Sequence, residues 1–255
     1  MKVVLNRRKS LQALGLATLA LAMPRFGQAT ETDVDLTGWL DDLYGNAAKL
    51  KRREISSLQW QEMMDEIYRD VPLQSLQQRL DFPTLRKQLL DQIGSERSEL
   101  FHRIELPGSE VGTSQSGEPQ RVLITKVAHI KNGRSIPRHG HSNMVSAFLC
   151  ISGEFAVKQY DKVEEQENHM VLRQTMDEDR AGVGTWSSIS DYRDNVHWLT
   201  AKTDDCFLFT CKLIGVEEGR KLNGRINVDV HRAESLGSQT LRAPKITSAE
   251  AAELY

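Results

Sequence analysis

The sequence predicts a mainly β protein, a barrel or sandwich of short strands with a layer of short α-helices on its N-terminal side. Three observations predict it. Between about 35 and 94 the apolar residues recur at helical spacing, whereas beyond 119 they fall in short runs with glycines at the turns. The run from Cys206 to Ile214 is apolar on both alternating faces, so both must be covered, one by a barrel interior and the other by the helices. At 255 residues, 39% hydrophobic and 27% charged, the chain can bury one good-sized core with a smaller appendage.

In chain order, the first 29 residues hold five basic residues (Lys2, Arg7, Arg8, Lys9 and Arg25) and no acidic one. Asn6-Arg7-Arg8-Lys9-Ser10-Leu11 is a twin-arginine pattern. The apolar run after it, Leu11 to Met23, is shorter than the roughly 20 residues of a bilayer span. With small residues near Gly27-Gln28-Ala29, positions 1–29 read as a twin-arginine (Tat) signal peptide, which implies the Tat export machinery as partner and the periplasm as destination. An uncleaved amphipathic helix is the other reading.

Ser56-Ser57-Leu58-Gln59 forms a capping box ahead of Trp60, Met63, Met64, Ile67 and Tyr68, one apolar helix face. Val71-Pro72 ends that helix and opens another carrying Leu73, Leu76 and Leu80. Pro83 starts a third with Leu85, Leu89 and Ile93, and Gly94 stops it. No chemical cluster lies in these helices, so packing is their role. A Gly/Ser-rich loop runs from Ser109 to Pro119. Strands follow at Val122 to Val127, at Ser146 to Tyr160 as a hairpin turning at Ser152-Gly153-Glu154, at Gly184-Thr185-Trp186 and at Cys206 to Ile214. The chain thus divides into the signal (1–29), a helical segment packed on the barrel (30–107), the barrel (108–225) and a polar C-terminal extension (226–255) with little assigned structure.

Without the signal, 28 basic residues face 35 acidic ones, about −7, with no Lys/Arg-rich stripe. That argues against nucleic acid and anionic membranes as partners. Three cysteines, Cys150, Cys206 and Cys211, lie in apolar runs. They are either buried core residues or include one cross-strand disulfide.

Of seven histidines, His102, His129, His169 and His231 read as structural or surface residues. His139 and His141 differ. On a strand, residues i and i+2 share a face about 6.5 Å apart, close enough for two imidazoles to meet one metal ion. Gly133-x5-His139-x-His141-x11-Gly153 is similar to the first motif of the cupin family, a double-stranded β-helix or jelly-roll barrel. Most cupins place a Glu between the second His and the Gly, where this chain has Ser146. The second cupin motif supplies one more His, and Asp194-Asn195-Val196-His197-Trp198 resembles it, which makes His197 the implied third ligand. Three neutral histidines leave the ion's charge uncompensated, which favours an anion such as a thiolate or carboxylate in the open positions.

Ile136-Pro137-x-His139-x-His141-x2-Met144, followed by Gly153 and Val157-Lys158-x-Tyr160-Asp161, resembles the plant cysteine oxidase and 2-aminoethanethiol dioxygenase family. The resemblance covers roughly residues 120–215. It implies a non-haem Fe(II) centre on His139, His141 and His197 that oxidises a small thiol with O₂ to a sulfinate. Imidazole alone equally suits Zn, Ni or Cu. Gly140 stands where that family carries Asp, Ser142-Asn143 replace its Pro-Gly, and its Pro-Pro-Tyr-like ending is not visible. Around the centre, Asp161 either orients a ligand His or is a turn residue. Tyr160 and Tyr192 are further candidates for the surroundings of the site. Trp186 lines the pocket mouth or packs in the core, and Trp198 points to the outer face. The alternatives in function are a noncatalytic periplasmic cupin binding a small molecule or metal, and another oxygenase or hydrolase on the same histidines.

Overall fold

The computed structural model describes residues 27–28, 35–94, 97, 99–108, 110–113, 119–121 and 123–254. The signal segment expected at 1–29 lies outside them, except for Gly27 and Gln28. The described elements in chain order are β1 (Gly27–Gln28), α1 (Leu36–Lys51), α2 (Ser57–Arg69), α3 (Leu73–Arg79), α4 (Phe82–Gln92), β2 (Glu99–Arg103), β3 (Glu110–Thr113), β4 (Pro119–Arg121), β5 (Ile124–Ile130), β6 (His139–Ser142), β7 (Met144–Ser152), β8 (Phe155–Glu165), β9 (His169–Ala181), β10 (Thr185–Ile189), β11 (Val196–Ala201), β12 (Cys206–Ile214), β13 (Asn223–Val228), β14 (Glu234–Gly237), β15 (Thr240–Ile246) and α5 (Ser248–Leu254). Among the described residues, no helix is long and apolar enough to cross a membrane.

Two antiparallel sheets dominate. One runs β1-β10-β7-β12-β5-β2 and the other β13-β6-β11-β8-β9-β15-β14. From β5 to β13 the chain alternates between them, apart from the β8–β9 hairpin, which is the winding of a double-stranded β-helix, the jelly roll that the sequence predicts. The capping box is present at α2: Gln59 N–H donates to Ser56 Oγ at 3.2 Å, and Ser56 N–H donates to Gln59 Oε1 at 2.9 Å. A separate helix at 36–51 precedes the three read from the sequence.

β12 shows why the layers form. Phe207, Phe209, Cys211 and Leu213 point outward into a core with Trp39, Trp60, Tyr68 and Trp186, so the helices cover that face. Cys206 and Leu208 point inward and pack between the sheets with Ile130, Phe148, Cys150 and Phe155. All three cysteines are free and buried. A third core lies behind the second sheet. β13 pairs with both β6 and β15, so β6, β11, β8, β9, β15 and β13 close into a ring. Inside it sit Tyr160, Trp198, Met170, Leu172 and Val228.

Four segments depart from the sequence reading. β7 and β8 are not a hairpin but an arch from one sheet to the other, because β10 and β12 already occupy both edges of β7. Gly153 makes the bend at φ +77°, where a Cβ would lie 2.5 Å from the Asp205 carbonyl oxygen. Inside the stretch read as a loop, β3 and β4 pair as a small hairpin. The polar residues from 169 to 181 and beyond 225 form β9 and β13 to β15, strands whose wet outer faces hide their periodicity.

Candidate metal centre

β6 and β11 lie side by side with His139 directly opposite His197, and His141 follows two residues on along β6. All three side chains therefore face the space between the sheets. Their ring centroids are 4.6 Å (His139–His141), 4.6 Å (His139–His197) and 5.5 Å (His141–His197) apart. One nitrogen from each lies within 4.8 Å of the others. Among the described residues this is the one group of three His, Cys, Asp or Glu side chains so placed. The three are only 3–8% exposed.

Burial removes water from these rings and so disfavours the imidazolium. His139 and His141 are held well below their usual 6.5, and His197 falls to about 4. Charge nearby pushes the same way: a proton on either neighbouring ring, and Arg225, at His139; a proton on His197, with Lys212 and Arg225, at His141; and Arg225 and Lys212 at His197. All three are neutral near pH 7, the form that ligates metals. His139 Nδ1 faces the Pro137 carbonyl, and His197 Nδ1 faces the Asn195 carbonyl at 3.1 Å. A carbonyl only accepts, so each Nδ1 carries the proton and each Nε2 keeps its lone pair. Neutral and buried, with His139 and His197 fixed in tautomer, the trio fits a divalent transition metal.

Asn195 ties the two ligand strands together. Its Oδ1 accepts from the His141 N–H at 3.2 Å, and its Nδ2 donates to the His141 and Ser190 carbonyls, both at 3.1 Å. Gly140 is required beneath it, since a Cβ there would lie 2.5 Å from Asn195 Oδ1 and 3.0 Å from Val196 Cγ2. The loop before β11 is anchored to the helical layer. Arg193 donates to Asp65 of α2 at 2.7 Å, and Ser188 Oγ donates to the same carboxylate at 2.8 Å. The Asn195-Val196-His197 element is visible in the sequence, but the clamping role of its first residue is not.

The histidines form one wall of a cavity of about 380 Å³. Apolar groups (Ile136, Met144, Phe148, Leu199 and Leu208) line much of the rest, with Lys126, Lys212 and Arg225 toward one side. Ser146, in the slot where most cupins carry Glu, also lines it, and its hydroxyl donates to the Cys211 carbonyl at 3.0 Å. Among the described residues, no carboxylate lines the cavity.

The other candidates lie elsewhere. Tyr160 points to the far side of its sheet, stacked on Trp198 at 5.2 Å, because residues of β8 alternate and Gln159 takes the inward place beside His197. Asp161 accepts from the Asp194 N–H at 2.9 Å and from Arg173 at 3.0 Å, so it holds the loop before His197. Tyr192 is 54% exposed and bonds Glu217 at 2.7 Å, outside the cavity. Trp186 belongs to the core under the helices, and Trp198 packs in the third core, on the side of its sheet away from the cavity. His129 stacks on Phe207 at 4.6 Å, away from the trio. The three cationic wall residues carried no signal in the sequence, since a lysine on a strand reads as an ordinary wet-face residue.

No protein-family model matches the sequence, and no curated protein matches it. Solved structures similar to part of the chain include oxalate oxidase in complex with the substrate analogue glycolate, at 11% identity and a TM-score of 0.33, over 52% of this chain and 60% of that one. They also include salicylate 1,2-dioxygenase from Pseudoaminobacter salicylatoxidans, at 15% identity and 0.33, over 55% of this chain and 34% of that one. Procruciferin, an 11S globulin from Brassica napus, matches at 13% identity and 0.29, over 40% of this chain and 22% of that one. This chain thus spans less than two thirds of each of these proteins. At such TM-scores the likeness carries no argument about chemistry.

Proposed function

We propose that the protein is a metal-dependent cupin dioxygenase that oxidises a small thiol to a sulfinate with O₂, with Fe(II) held by His139, His141 and His197. The observation that carries this reading is the trio itself: three neutral, buried imidazoles converge in a cavity that no described carboxylate lines. That set leaves positive charge on the ion, and it stands in the Ile136-Pro137-x-His139-x-His141-x2-Met144 run that resembles the thiol dioxygenases. The reaction balances as R–SH plus O₂ to R–SO₂H, both oxygen atoms ending on sulfur. Bound iron(II) would supply the redox chemistry that lets O₂ react with a thiol.

The rest falls to this chain's own residues. The backbone carbonyls of Pro137 and Asn195 keep the Nε2 atoms of His139 and His197 free of protons. Asn195 fixes the spacing between β6 and β11. Ile136, Phe148, Leu199 and Leu208 exclude water from the side facing the histidines. The cationic wall favours a thiolate over a thiol in the cavity. Export as a folded, loaded protein on the twin-arginine signal belongs to the same proposal, since it lets the ion be acquired before the protein meets tighter-binding Cu and Zn.

The test is O₂ consumption by anaerobically iron-loaded protein offered cysteine, cysteamine, 3-mercaptopropionate and a peptide with N-terminal Cys. Uptake of one O₂ per thiol with a sulfinate product is the expected result. Full iron occupancy with no thiol-dependent uptake across the panel overturns the reading.

A further inference from the structure

The charge on the cavity walls bears on which thiol can enter. Lys126 stands opposite Thr210 on the inward face of the first sheet, and Lys212 follows two residues on from Thr210 on that face. Their side chains are therefore diagonal neighbours, about 7–8 Å apart at the backbone. Lys126 and Arg225 both sit 5.7 Å from the centre of the Phe101 ring, which holds them at the same end of the cavity. Arg225 is paired with Glu99 at 3.0 Å. Among the described residues, neither Lys126 nor Lys212 has a carboxylate partner. Lys212 is half-buried, and burial together with the charges of Lys126 and Arg225 lowers its pKa, which shows how unfavourable the cluster is without a counter-ion.

We propose that this end of the cavity binds the carboxylate of the substrate, so that the thiol taken is a small mercapto carboxylate with its sulfur toward the histidines and its carboxylate between Lys126 and Lys212. The inference rests on the thiol-oxidation reading and narrows it. A thiol whose only charge is an ammonium, such as cysteamine, meets the unpaired ammonium groups of Lys126 and Lys212 and no described carboxylate in the walls. An anionic thiol gains two charge-assisted contacts and relieves the repulsion between the lysines.

Calorimetric titration under anaerobic conditions tests this directly, with 3-mercaptopropionate and cysteamine added separately to iron-loaded protein. The expected result is at least about tenfold tighter binding of 3-mercaptopropionate. Lys212→Met should remove about tenfold of that affinity while leaving the iron content unchanged, and Lys212→Arg should restore most of it. Equal or tighter binding of cysteamine, or a Lys212→Met variant that is loaded with iron and keeps the full preference, overturns the proposal. Failure of the underlying reading looks different: iron-loaded protein then shows no O₂ uptake with any thiol, whatever its binding preference.

Discussion

Gly140 and Asn195 interlock at the residue scale. The asparagine amide fills the space above residue 140 and bonds the backbone of His141, so a side chain at 140 and the clamp cannot coexist. The Asp of the resembling family at that position has no room here while the Asn195 amide keeps this place. Gly140→Ala should lose about 1–3 kcal/mol of stability in urea unfolding, from overpacking and the displaced amide. Asn195→Ala should keep the fold but weaken Fe(II) binding by about 10–100-fold in competition with a chelator. His139→Ala should hold no stoichiometric iron by elemental analysis; retention of the metal by a variant lacking all three histidines would remove the site. Protonation follows the same geometry. In metal-free protein the unfolded chain takes up protons on these histidines at about 6.5, whereas His197 in the fold resists until about 4. The histidines' contribution to stability is intact above pH 6.5 and declines as the pH falls toward 4, which chemical unfolding at a series of pH values will show.

At the scale of elements, the His197 strand depends on a helix far from it in sequence. Asp65 of α2 is buried and bonded to Arg193 and Ser188, and burial opposes its ionisation while the guanidinium supports it. Asp65→Asn removes the nearer of the two carboxylates facing the mostly buried Arg193 and leaves Asp194 at 3.7 Å, so a loss of about 1–3 kcal/mol in unfolding free energy is expected. Metal affinity should fall with it, because the loop from Ser190 to Asn195 loses its anchor. The same scale shows what could be read from the sequence. Helix α2 was legible because its cap and apolar stripe are local. His139 and His141 share a face simply because they are two apart on a strand. His197 emerged only through resemblance, since nothing local ties it to β6. The β7–β8 arch was misread as a hairpin because a Gly-centred turn looks the same whether the next strand pairs or crosses. Which edge of β7 is free is a nonlocal fact.

Over the whole molecule, three cores divide the work. The helices cover one sheet, the interior between the sheets supports the cavity, and the ring closed by β13 and β15 backs the histidine-bearing sheet. The third was invisible in the sequence, because its strands contribute only one or two apolar residues each and most of them, β8, β9, β13 and β15, mix these with polar ones. It makes the segment beyond 222 part of the centre's support: β13 pairs with His139, Gly140 and Ser142, and Arg225 stands in the cavity wall. A chain ending at Leu222 should therefore bind no stoichiometric iron although it retains all three histidines, and should expose Tyr160 and Trp198, seen as increased binding of a hydrophobic dye.

β13 has a consequence for biosynthesis. A ribosome makes all three histidines before it makes the strand that shields them, and β15, which fastens that strand, comes later still. Until β13 is laid beside β6, His139 lacks its edge strand and the cavity lacks the wall that Arg225 supplies, so the trio would be open on that side. Selection of the ion to be kept thus falls after elongation has passed residue 246, as a step of maturation rather than of synthesis.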